Sequence, residues 1–302
     1  MPIADAVLEW YGRNARDLPW RAPGTGAWPI LVSEVMLQQT PVSRVLPAWL
    51  AWVRRWPTPA DLAADTAADA IRAWDRLGYP RRAMRLHACA QAIVERHGGT
   101  VPDSLDELLA LPGIGDYTAR AVAAFAYRQR HPVVDVNVRR VVARAVTGVA
   151  EPGPATTAAD LTLVEGLLPE QDERAAQVSA AFMELGALVC TARNQDCAAC
   201  PLATGCAWQR AGRPPGDGPR RRPQAYNGTD RQVRGLILAE LRGTGGPVPR
   251  TRIDAVWHLP EQRERALASL LDDGLVTRHG LGHFLLAGDS RGTTGDLSVD
   301  LS

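Results

Sequence analysis

The chain has 302 residues, 46% of them hydrophobic, and its 34 basic and 33 acidic side chains leave a formal net charge of +1. That length suits two or three compact units with a sizeable core, while near-neutrality excludes the overall basic surplus typical of a polyanion binder and leaves only local clustering of charge to serve that purpose. Every basic residue is an arginine, so no side-chain amine exists for Schiff-base or P-loop chemistry.

The first residues lack a cationic start leading into an apolar run, because Asp5 and Glu9 interrupt it, and no stretch reaches about 18 uninterrupted apolar residues; a soluble, cytoplasmic protein is expected. From Ala4 to about Val189 apolar residues recur at helical spacing, with Ala-rich segments such as 61–77 and 82–97 separated by Pro and Gly. The pattern predicts an all-α body. Within it, Ser33-Glu34-Val-Met-Leu-Gln38-Gln39-Thr40 sets Glu34 in an apolar helix that ends at two amides and Pro41. A buried glutamate has its pKa raised, which suits a general acid near neutrality. Cys89 falls mid-helix and reads as a small buried hydrophobe.

Leu111 to Tyr127, LPGIGDYTARAVAAFAY, opens on a Pro-Gly-x-Gly turn and runs on into an amphipathic helix. Gly113 and Gly115 permit a tight turn whose N–H groups, with those of the helix start, can hold a phosphate without reading sequence; an ordinary helix connector has the same composition. Next comes Pro132-Val-Val-Asp135-Val-Asn137-Val-Arg139-Arg140, with one carboxylate in an apolar run before a basic helix. Asp135 there is either a helix cap or a working group kept ionised to stabilise a cation. Two carboxylates in unlike environments suggest cleavage of a glycosidic bond. Arg139, Arg140 and Arg144 form a basic run that reads either as a solvated face or as a phosphate-binding one.

Cys190, Cys197, Cys200 and Cys206 follow with the spacing C-x6-C-x2-C-x5-C. Four thiols within so short a stretch can wrap one metal centre at little loop-closure cost. Disulfides are disfavoured in a reducing compartment. Zinc remains an alternative to iron–sulfur, although its usual structural sites pair two short knuckles and only Cys197 and Cys200 form one. Residues 211–225 are rich in Arg, Pro and Gly and read as a linker closing a 1–210 domain. Residues 226–290 suggest three helices, at 230–242, 249–257 and 260–273, then two short apolar runs around Gly280 and Gly282. A winged helix and a small three-helix adaptor with a hairpin both fit. The polar tail 291–302 is expected to be disordered.

LPW at 18–20, SEVMLQQTPV at 33–42, LGY at 77–79, LPGIGDYTARA at 111–121, VDVNVRR at 134–140 and MELGALVCT at 183–191 together resemble the helix-hairpin-helix DNA glycosylases with an iron–sulfur loop, and within them the MutY adenine glycosylases. The resemblance covers about residues 5–210. It implies a two-lobed helical body carrying a 4Fe-4S cluster on Cys190, Cys197, Cys200 and Cys206, with the small winged-helix-like domain appended. By the same resemblance Glu34 protonates an adenine ring nitrogen, Asp135 stabilises the oxocarbenium-like sugar, and Tyr117 and Asn137 line that sugar. Trp20, Arg21 and Glu184 match the adenine pocket. Gln39, Leu77 and Tyr79 match the wedge that enters the base stack, their motif neighbours Gln38 and Thr40 are further DNA-binding candidates, and Gly113 and Gly115 match the phosphate-binding hairpin.

The implied partner is double-stranded DNA holding adenine opposite 8-oxoguanine or guanine, bound by a monomer. The related endonuclease III branch cuts strands through a lysine where this chain has Tyr117, so a monofunctional enzyme is expected. The chain departs from the family at Pro80, where a second aromatic is usual, and at Ser179-Ala180, where the family has an Asn-Gln pair. It also has about 65 winged-helix-like residues in place of the family's MutT-like domain for 8-oxoguanine. A glycosylase for damaged or mismatched pyrimidines and a non-catalytic iron–sulfur DNA-binding regulator are the competing readings.

Overall fold

A computed structural model of the chain describes residues 2–216, 226–289 and 291; most of the sequence-predicted linker and tail lies outside them. In chain order the helices are α1 (Ile3–Asn14), α2 (Ala27–Leu37), α3 (Val42–Arg55), α4 (Pro59–Ala64), α5 (Ala67–Trp74), α6 (Arg81–His97), α7 (Leu105–Leu109) and α8 (Asp116–Tyr127). They continue with α9 (Val136–Val142), α10 (Ala158–Glu165), α11 (Asp172–Leu188), α12 (Ala207–Arg210), α13 (Asp230–Gly243), α14 (Arg250–Ala255) and α15 (Pro260–Asp272). Three short strands, β1 (Val248–Pro249), β2 (Val276–His279) and β3 (His283–Leu286), all fall in the last segment. The predicted all-α body with a small C-terminal sheet is what the chain forms. Among the described residues no helix is long and apolar enough to cross a membrane.

Two compact units divide the chain: residues 1–34, 102–110 and 114–221 form the first, and 35–101, 111–113 and 222–302 the second. In the first, α11 lies against both α9 and α1, burying Val7, Trp10, Val138, Val141, Val142, Val178, Phe182 and Leu185 in one core. The approach of α11 to α9 is close enough that a Cβ on Gly186 would come 2.7 Å from the Asn137 carbonyl oxygen. Only glycine permits that contact.

In the second unit, α3 to α6 enclose Trp52, Trp56 and Trp74, with Trp52 edge-on to Trp56 at 4.5 Å and to Trp74 at 5.6 Å between ring centroids. Thr58 and Asp61 cap α4 reciprocally. The C-terminal segment runs α13, β1, α14, α15, β2, β3, with an antiparallel sheet of order β1-β3-β2 and Val276 opposite Leu286. That order agrees with the winged-helix expectation for this segment. Ion pairs of Arg81 with Asp273 at 3.1 Å, of Arg72 with Asp289, and of Arg291 with Asp69 at 3.1 Å tie it to α5 and α6.

Arg82, in the first turn of α6, is buried. Its guanidinium donates to the carbonyls of Val35, Met36 and Gln38 at 2.8, 2.9 and 2.7 Å, to Gly78 O at 3.0 Å and to Thr40 Oγ1 at 2.9 Å. One side chain thereby ties the 38–40 loop to the 77–79 loop, and each loop carries a non-glycine residue in the left-handed region, Gln39 at φ 55° and Tyr79 at φ 49°. Burial holds its pKa down to about 10, so it stays charged at neutral pH. Arg82→Ala would strand five acceptors, three of them in buried contacts, and is expected to cost about 3–5 kcal/mol, read as a fall in unfolding midpoint in urea.

Candidate active site

α2 is apolar on nearly every face, and Glu34 within it is 5% exposed. Its Oε2 accepts one hydrogen bond, 3.0 Å from the Tyr117 hydroxyl at the start of α8. Desolvation pushes the Glu34 carboxyl from its ordinary 4.5 up to about 7, opposed by the Tyr117 bond and reinforced by the charge of Asp135. Tyr117, half-buried, is held well above the ordinary phenol range by desolvation and by the charges of the same two carboxylates. A carboxyl of this kind is half protonated near neutrality and can deliver a proton.

Asp135 caps α9. Its Oδ1 accepts from the backbone N–H of Asn137 at 2.9 Å and of Val138 at 2.8 Å, and its Oδ2 from Asn137 Nδ2 at 2.7 Å. These three bonds stabilise the carboxylate, yet burial outweighs them and the net shift is upward. The sequence expectation of an acid held low at a helix start omitted that desolvation. Asn137 in turn accepts from Arg140 Nη2 at 2.7 Å, and Arg140 donates Nη2 to Gly186 O and Nε to Cys190 O, both at 2.7 Å. A continuous set of hydrogen bonds thus runs from Asp135 to the backbone of the first cysteine in the comb.

The basic run is therefore neither of the two things its charge suggested. Arg139, Arg140 and Arg144 are 7%, 6% and 2% exposed. Arg139 pairs with Asp160 at 3.2 Å. Arg144 donates to Ala150 O at 2.8 Å and Thr191 O at 2.7 Å, stands 3.6 Å from Cys190 Sγ, and stacks on Trp208 at 4.9 Å. All three cations turn inward, where backbone carbonyls satisfy them.

Glu184 on α11 is fully buried and gathers Arg16 at 2.7 and 2.8 Å and Arg21 at 3.0 Å, which with the Arg16 N–H holds its carboxyl at about 2, against desolvation. It works as an anchor for two arginines, and Arg16 was not among the residues the sequence singled out. Arg21 lies within electrostatic reach of Glu34, and its Nη1 is buried without a hydrogen-bond partner. That donor is available to a ligand. Trp20, beside it in a single 3-10 turn, is buried.

Among the remaining sequence candidates, Gln38, Gln39, Thr40, Leu77 and Tyr79 lie in the two loops joined by Arg82, and Tyr79 is half exposed. Gly113 takes φ 78° and packs so closely on Arg85 that a Cβ would sit 2.7 Å from that residue's own Cβ; Gly115 is the N-cap of α8. The four cysteines are all free thiols, and Cys200 is influenced electrostatically by Cys190, Cys197 and Cys206. Among the described residues no three His, Cys, Asp or Glu side chains close into a metal-holding set. Cys89, as expected, is a buried thiol in α6.

Residues 32–165 match the HhH-GPD superfamily of base excision DNA repair proteins. The chain is 58% identical over 284 residues to the adenine DNA glycosylase of Mycobacterium tuberculosis, covering 94% of this chain and 93% of that one. It is 57% identical to the adenine DNA glycosylase of Mycolicibacterium smegmatis, covering 96% and 97%. A solved thermostable thymine-DNA glycosylase superposes with a TM-score of 0.63 at 25% identity, over 69% of this chain and 95% of that one.

Proposed function

Because the chain belongs to the adenine DNA glycosylases of the helix-hairpin-helix base excision repair superfamily, we propose that Glu34 and Asp135 divide its glycosidic-bond hydrolysis between them, as acid and as cation stabiliser. The protein is a hydrolase of N-glycosyl bonds that removes adenine from DNA. The observation that carries the division of labour is the pair itself: a neutral-leaning Glu34 bonded to Tyr117, and an Asp135 carboxylate held by three N–H donors.

In this reading the Glu34 proton passes to a ring nitrogen of the flipped-out adenine, the C–N bond breaks with its electron pair going to the base, and Asp135 faces the positive charge developing on the sugar. Water then adds to the sugar carbon and loses its proton, leaving free adenine and an abasic site. Arg21, steadied by Glu184, offers its spare Nη1 donor to the extruded base. The substrate is a duplex with adenine opposite 8-oxoguanine or guanine, entered by the loops carrying Gln39, Leu77 and Tyr79, with the Gly113–Gly115 turn on the phosphates. With no lysine the enzyme stops at the abasic site.

The cysteine comb fits a 4Fe-4S cluster by the chemistry of its donor set, four unpaired thiols closely spaced in sequence with the Arg144 cation beside Cys190. Such a cluster would be structural, fixing the 190–206 loop against α9 through Arg140 and Arg144. A reducing cytoplasm is the compartment that suits these thiols.

Single-turnover cleavage of duplexes carrying A·8-oxoguanine, A·G, T·G and oxidised-pyrimidine pairs tests this reading. Release of adenine from the first two is expected, with no borohydride-trapped adduct and with iron and sulfide, not zinc, in the purified protein. Release of thymine or of an oxidised pyrimidine alone would overturn the substrate.

A further inference from the structure

A winged helix ordinarily reads DNA with its third helix, but α15 is poorly made for that. Its exposed positions carry Glu261 and Asp272, and Glu264 paired with Arg250, while Arg265 is engaged by Asp230 at 3.3 Å and Arg263 donates to the carbonyls of Asp254 and Trp257 at 3.0 and 2.8 Å. A helix whose free charges are acidic repels phosphate. Apart from Arg278 on β2, which is exposed and lies over the Phe284 ring, an exposed cation free of ion pairs among the described residues lies at the other end of the domain. Arg231, in the first turn of α13, is exposed, pairs with no carboxylate among the described residues, and lies over two tyrosine rings: Tyr79 at 5.2 Å and Tyr226 at 5.9 Å.

Tyr79 meets a second guanidinium, Arg82, at 5.6 Å. The four side chains make an alternating stack, Arg82, Tyr79, Arg231, Tyr226, whose inner end is fixed by five hydrogen bonds and whose outer members are half exposed. The outer end is built as well. Thr229 Oγ1 donates to Tyr226 O at 2.7 Å, and the Tyr226 hydroxyl lies over Gly235, where a Cβ would stand 3.3 Å from it. The chain gives up helix propensity at Gly235 and gains a tyrosine laid along α13.

We propose that Arg231 and Tyr226 of the winged-helix domain, together with Tyr79, form the surface that holds the purine left unpaired when its adenine partner is extruded. This inference rests on the adenine-glycosylase reading and deepens it. Flipping one base leaves the opposite base without a stacking neighbour, and ring faces alternating with planar guanidinium groups supply one. A guanidinium also offers a fork of N–H donors to the carbonyl edge of a guanine-type base, which a lone tyrosine lacks. The domain thus contributes to opposite-base recognition through the N-terminus of α13 and not through α15.

Binding of the full-length protein to two duplexes at one salt concentration tests this: one holding a non-cleavable 2′-fluoro-adenosine opposite 8-oxoguanine, the other fully paired. Arg231→Ala is expected to weaken the mispair complex about tenfold and the paired complex less than about threefold, the size expected for one lost stacking partner. Tyr226→Ala should show the same selectivity loss, and serves if the arginine variant unfolds. Arg231→Lys keeps the charge without the plane and should recover less than half of the lost selectivity. Equal weakening of both duplexes, no weakening, or full rescue by lysine each overturns the proposal. A wild-type protein that bound the two duplexes equally would instead overturn the substrate reading beneath it.

Discussion

Glu34→Gln is expected to slow single-turnover adenine release by about 10³-fold, because the variant keeps the shape and the hydrogen bond to Tyr117 but removes the transferable proton. The same substitution should erase a feature of the pH profile. With the carboxyl at about 7, the rate of the wild-type protein should fall as pH rises through that value, and the residual rate of the variant should not. Stability falls in the same direction. The native carboxyl binds its proton more tightly than the ordinary value of 4.5, so stability is lost as pH rises from about 4.5 to about 7 and is level above. The loss is on the order of 3 kcal/mol. Glu34→Gln should therefore be more stable than wild type at pH 8 in urea unfolding and indistinguishable from it near pH 4. A variant that was equally active, or one that was destabilised at pH 8, would remove Glu34 from the acid role.

Glu34 was legible because a single carboxylate in an apolar helix is a conspicuous local anomaly. The cap at Asp135 and the winged-helix order were legible for a similar reason, as both rest on short-range pattern. Arg82 was not, since nothing within α6 says that its guanidinium meets carbonyls some 45 positions earlier in the chain. Arg16 and Arg21 reach Glu184 across 168 and 163 positions. The basic run at Arg139, Arg140 and Arg144 misled because charge alone suggests solvent, whereas the carbonyls of residues 150, 153, 186, 190 and 191 receive these cations inside the fold. Arg231 lay in a helix read only as amphipathic, and the rings it covers lie 152 residues away and 5 residues away. In each case the missing information included a long-range partner, and arginine, which carries five donors on a long stem, is the residue best able to hide one.

Asp135→Asn carries the other large effect, and it separates the two roles the sequence allowed. Asparagine is as good a helix cap as aspartate, so if Asp135 were only a cap the variant would unfold within about 1 kcal/mol of wild type and keep its rate. The expected result is a similar stability with adenine release slowed by at least about 10³-fold, since the neutral amide offers no charge to the developing sugar cation. Geometry adds to electrostatics here. Asn137 Nδ2 donates to the second carboxylate oxygen at 2.7 Å, while Asn137 Oδ1 is fixed by Arg140. An amide nitrogen in place of that oxygen would forfeit this one bond, a cost of about 1 kcal/mol, and leave the two backbone caps at Oδ1 in place. Unfolding in urea and single-turnover cleavage, run on the same preparation, decide the matter. A rate loss that merely tracked a stability loss would leave Asp135 as a cap, and a rate loss with stability intact requires its charge at the sugar.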